Sequence, residues 1–88
     1  MEVPSWPSGR VKLDGDTLEF GAGDLTRIPV ANLRKVEVKP PKKGRFNLRL
    51  EYQSGLDNNK TGAWIEEQHE AELTELVASI KAAAGISG

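Results

Sequence analysis

Eight of the chain's twelve basic residues fall within residues 27–49: Arg27, Arg34, Lys35, Lys39, Lys42, Lys43, Arg45 and Arg49, against a single acid, Glu37. Lysine and arginine at this density recognise anions, whether carboxylates on a protein, lipid headgroups or nucleic-acid phosphates. The segment carries +7, residues 1–26 carry −3 and residues 50–88 carry −5, so the formal net charge of −1 conceals a polarised molecule.

The remaining candidates for chemistry are thin. His69, the only histidine, stands among Glu66, Glu67, Glu70 and Glu72 with no serine or cysteine nucleophile assignable to it, and reads as a solvated helix histidine. Asp57, Asn59, Thr61 and Gly62 match the first, third, fifth and sixth positions of a calcium loop, but the twelfth is Gln68 rather than Glu and no helix precedes it. Gly21-Ala22-Gly23 leads into a strand pattern instead of opening a helix, and no glycine loop ends in Lys-Ser or Lys-Thr, so no nucleotide site is indicated. With no cysteine there is neither a disulfide nor a thiolate metal site. The expectation is a non-catalytic chain with no cofactor and no metal.

The elements that must position the basic residues are mostly strands. Val11 and Leu13 alternate with Lys12 and Asp14, Asp14-Gly15-Asp16 supplies a turn, and Leu18 and Phe20 alternate with Thr17 and Glu19, which is a hairpin. The pattern resumes over residues 25–30, where Pro29 suits an edge or a bulge. Leu33, Val36 and Val38 point inward with Lys35, Glu37 and Lys39 outward, and residues 40–44, Pro-Pro-Lys-Lys-Gly, read as an exposed connection. Residues 45–52 form the clearest strand, with Phe46, Leu48, Leu50 and Tyr52 on one face and Arg45, Asn47, Arg49 and Glu51 on the other. Residues 53–62 read as a polar loop and Ala63-Trp64-Ile65 as a last short strand. The period then changes. Leu73, Leu76, Val77, Ile80 and Ala84 make an apolar stripe on a helix spanning residues 68–84, with glutamates at its start, Lys81 in its last turn and Gly85 as its stop, but no N-cap residue.

At 88 residues the chain suits one domain, residues 9–84, flanked by a flexible segment 1–8 and a tail 85–88. The expected fold class is mainly β with one C-terminal α-helix: a small antiparallel β-barrel, or two orthogonal sheets, whose open end the helix stripe plugs. No apolar stretch approaches the roughly 18–20 residues that span a bilayer, and no secretory leader is evident, so a cytoplasmic protein is expected.

The order of these elements resembles the pleckstrin-homology superfold, and the small bacterial PH-like domains in particular. The resemblance is carried by Gly9-Arg10-Val11-Lys12-Leu13, Leu18-Glu19-Phe20, Arg27-Ile28-Pro29-Val30, Leu33-Arg34-Lys35-Val36 and the closing helix. It implies a binding module. Many PH domains take phosphoinositide headgroups at the turn between the first two strands, but here that turn is Asp14-Gly15-Asp16, whose carboxylates would repel a phosphate, leaving only Arg10 and Lys12 to carry over. Bacterial PH-like domains also imply protein interaction or self-assembly.

The predicted working surface is therefore the basic hairpin: Lys35, Lys39, Arg45 and Arg49 on outward strand positions and Lys42 and Lys43 at the tip, with Trp6 as a candidate flexible anchor. Trp64 reads mainly as a packing residue, on the opposite face from Ala63 and Ile65. A protein partner or self-association is the leading expectation, and peripheral attachment to anionic lipid at the inner face of the membrane the alternative. Nucleic acid is disfavoured, because Phe46 and Tyr52 belong to the inward face and no exposed aromatic interrupts the basic stretch.

Overall fold

The computed structural model describes residues 1–86. Its elements are β1 (Glu2–Ser5), β2 (Gly9–Asp14), β3 (Thr17–Gly21), β4 (Thr26–Pro29), β5 (Leu33–Lys42), β6 (Arg45–Ser54), β7 (Asp57–Glu66) and α1 (Glu70–Ala84). The strands form two antiparallel sheets, of order β1-β2-β3-β4 and β5-β6-β7. The sheets face one another across a single cluster of buried aliphatic and aromatic side chains, and α1 closes it with Leu73, Leu76 and Ile80. The expected fold class holds as two sheets with a closing helix, but the sheets do not close into a barrel. A 3₁₀ turn at Val30–Asn32 separates β4 from β5, while on the other side one bridge, Trp6 to Trp64, ties the end of β1 to β7 through Trp6 N–H donating to the Trp64 carbonyl at 2.7 Å. Phe20 and Tyr52 span the two sheets edge to face, with centroids 6.4 Å apart.

Segment 1–8, expected to be flexible, contains an ordered edge strand. Val3 pairs with Val11 and is fully buried, so removing one apolar side chain from water holds a short stretch whose prolines gave no strand signal. The polar loop expected over residues 53–62 is the far end of a long hairpin: Gln53 pairs with Asn58 and Tyr52 with Asn59, and the chain reverses at Gly55-Leu56. A complete ladder against β6 outweighs the poor strand propensity of Asp57, Asn58 and Asn59. Residues 40–42, expected as a connection, continue β5 through an irregularity between Lys39 and Lys42. Pro40 and Pro41 are accommodated because β5 is an edge strand with one neighbour. The reversal is instead made by Lys43-Gly44, whose φ angles of 56° and 77° are those of a two-residue hairpin turn. Val38, expected inward, is 37% exposed, since it opens on the groove between β5 and α1 beyond the helix's cover.

The helix starts two residues later than expected. A 3₁₀ turn, Glu67–His69, precedes it, and in place of a side-chain cap Glu67 N–H donates to the Gly44 carbonyl at 3.0 Å. That bond fixes the helix entrance against the β5–β6 turn. At the other end Gly85, with φ 71°, and Ile86 donate to Ala82 and Lys81 in a Schellman arrangement, and Ile86 packs on the core. Of the expected tail, residues 87 and 88 lie outside the described residues.

Candidate functional site: a basic, tryptophan-flanked sheet end

Alternation along β6 buries Phe46, Leu48 and Leu50 and turns Arg45, Asn47, Arg49 and Glu51 outward. The register of its neighbours then writes the outer face of the second sheet as four rows. Lys35, Glu51 and Lys60 form one; Glu37, Arg49 and Gly62 the next; then Lys39, Asn47 and Trp64; and finally Lys42, Arg45 and Glu66, beside the turn that carries Lys43. All six predicted basic residues therefore belong to one face or its tip.

Their charges are not equally available. Lys39 Nζ lies 2.6 Å and Lys35 Nζ 3.1 Å from the Glu37 carboxylate, and Lys35 also approaches Glu51 at 3.9 Å. The hydrogen bond from Lys39, then that from Lys35, then their charges hold the Glu37 carboxyl well below its usual 4.5, at about 2. A lowered folded value favours the fold above the unfolded titration and withdraws that support as the pH falls through about 2. We expect Lys39→Met to move the Glu37 titration back toward 4.5, followed by NMR of its side-chain carboxyl carbon; an unmoved titration would contradict the Lys39 assignment.

Among the described residues of this face and its turn, Lys42, Lys43, Arg45, Arg49 and Lys60 have no ion pair, and three of them, Lys42, Lys43 and Arg45, sit together at one end of the sheet. There the structure adds what the linear sequence hid. Trp6 and Trp64, 44% and 43% exposed, stand beside the basic tip. The Arg45 guanidinium lies over the Trp6 ring at 3.8 Å, a cation–π contact that orients both side chains. Trp6, Trp64, Lys42, Lys43 and Arg45 together line a surface cleft of about 360 Å³. Trp6 is consequently a docked residue rather than a flexible anchor, held by the β1–β7 bridge below and Arg45 above. Trp64, expected mainly as a packing residue, is 43% exposed on the outer face, opposite to the buried Ile65.

Other sequence candidates fall elsewhere. The calcium-like pattern Asp57, Asn59, Thr61 and Gly62 lies in extended strand β7, where alternate residues cannot wrap one ion as a loop does. His69 sits at the helix entrance with Nδ1 3.4 Å from the Glu72 carboxylate. Asp14-Gly15-Asp16 makes the β2–β3 turn, with Gly15 at φ 62°, as expected. On the outer face of the first sheet Glu19, only 8% exposed, is engaged by Arg27 at 2.6 Å. No helix of the described residues is long and apolar enough to cross a membrane. No family model matches the chain, and no curated protein does.

Proposed function

We propose that the protein is a non-catalytic, PH-like binding or assembly module that engages a carboxylate-bearing protein surface through the Lys42 end of its second sheet. The observation that carries this reading is the cleft itself. Two half-exposed indoles and Arg45 are the residue types that interface centres favour, and lysines lacking internal partners add charge at their edge. Lys35 and Lys39 contribute less than their number suggests, because Glu37 already holds them. A second reading is favoured by the same indoles: tryptophan beside lysine and arginine also suits the headgroup zone of an anionic bilayer.

Both tryptophans of the chain line this cleft, so tryptophan fluorescence is sensitive to what binds there. We expect a poly-glutamate peptide to change the emission at low salt and poly-lysine to leave it unchanged. Lys42→Glu combined with Lys43→Glu should abolish the response while circular dichroism stays that of the parent. A response confined to phosphatidylserine-containing vesicles would transfer the site to the membrane reading, and silence toward both probes would overturn both.

A further inference from the structure

The basic tip does not stand alone at its end of the molecule. Glu67 N–H bonds the Gly44 carbonyl at 3.0 Å, and Arg45 is in register with Glu66, so the acidic helix entrance abuts the basic turn. Glu67 and, one turn further on, Glu70 are exposed. Among the described residues, neither forms an ion pair with Lys42 or Lys43 in its own chain. Two adjacent patches of opposite sign, each unsatisfied within the chain, are the pattern a two-fold interface requires. Rotation by 180° about an axis between them sets each patch on its complement, twice over.

Resting on the reading of this end as the working surface, we propose that its partner is a second copy of the chain, in an isologous dimer that sets Lys42 and Lys43 of one copy against Glu67 and Glu70 of the other. Trp64, two residues from Glu66 on the same face, and Trp6 beside it supply the apolar part of the contact. Each paired charge then lies beside a surface that excludes water, where an ion pair is screened less than in open solvent. A second copy is preferred to a foreign anion because the acid needed is already present at the required place. The formal net charge of −1 also imposes little repulsion between copies.

Sedimentation equilibrium over a concentration series tests this directly. The parent should approach twice the chain mass at low salt and dissociate on the order of tenfold more readily in molar salt, with its tryptophan emission shifting to the blue as dimer forms. Lys42→Glu with Lys43→Glu should be monomeric, and so should Glu67→Lys with Glu70→Lys. An equimolar mixture of the two should recover the dimer mass, because the reversed patches complement one another. A parent that stays monomeric with emission independent of concentration would overturn the proposal without any variant. So would a mass that grows past the dimer, which is the mark of head-to-tail contact. A monomeric parent that still responds to poly-glutamate would sink the dimer and leave the binding-module reading standing; a monomer silent to poly-glutamate and to vesicles would sink both.

Discussion

Leu76→Ala is expected to lower the melting temperature by on the order of 10 °C or more. Leu76 is fully buried in the cluster formed by both sheets and α1. Truncating such a leucine costs about 2–5 kcal/mol, from lost transfer free energy and from the cavity left behind. A domain of this size has about 5–15 kcal/mol to lose, and each kcal/mol moves its midpoint by roughly 4–8 °C. Leu73, Leu76 and Ile80 of α1 all enter the same cluster, so collapse around the cavity would have to move α1 as a body. The Schellman end and the Glu67–Gly44 bond oppose that movement. Thermal denaturation followed by circular dichroism measures the effect, with Thr74→Ala as the comparison, since Thr74 is exposed and bonds only the Glu70 carbonyl. An unchanged midpoint for Leu76→Ala would mean that α1 does not close the core.

Legibility in the sequence followed physical periodicity. Residues 45–52 announced themselves because one face is buried and the other wet, and the stripe Leu73, Leu76, Ile80 because a helix repeats every 3.6 residues. Elements stabilised mainly by their neighbours left weaker signals. Asp57, Asn58 and Asn59 extend only because β6 offers them a ladder, and β1 contributes a single buried side chain. The site divides in the same way. Its cations were visible as a charge run. The internal neutralisation of Lys35 and Lys39 was also recoverable, since residues 35, 37 and 39 of one strand must share a face. The meeting of Trp6 with Trp64 and Arg45 was not, because it depends on a bridge between the two ends of the strand order that no local pattern encodes. The basic stretch itself has no exposed aromatic, and the indoles beside it come from Trp6 and Trp64, elsewhere in the chain.

Electrostatics and topology act together at this end. A neutral molecule with mixed surface charge would bind little through Coulomb forces, yet here segregation of sign follows from the order of elements. The basic hairpin closes on a turn, and the acidic helix begins beside it because Glu67 takes its missing hydrogen bond from that same turn. The absent N-cap thus has a structural consequence. A helix that borrows its first acceptor from Gly44 places Glu67 at the turn that carries Lys43. The acids remain favoured there by the helix dipole, whatever they bind.

Val3→Asp is expected to unfold the protein, or nearly so, at neutral pH. The side chain at position 3 has no exposure, pairs across the sheet with Val11 and joins the cluster that α1 seals. An ionised carboxylate there would be buried among hydrocarbon with no cation within the core, a cost of several kcal/mol on top of the lost valine contacts. Burial would raise the carboxyl's folded pKa above its unfolded value near 3.9, so the charge-related deficit against the parent should be full above the folded value, shrink as the pH falls from there towards about 3.9, and be gone below it, where both states are protonated. Val3→Asn isolates the charge, since it loses the same apolar contacts and should show a smaller deficit that does not change with pH. Denaturant melts of the three proteins at neutral and acid pH supply the comparison. If segment 1–8 were merely loose chain, all three would melt together. If β1 is part of the core, Val3→Asp should also red-shift the tryptophan emission, because Trp6 keeps its place under Arg45 only while the strand before it is docked.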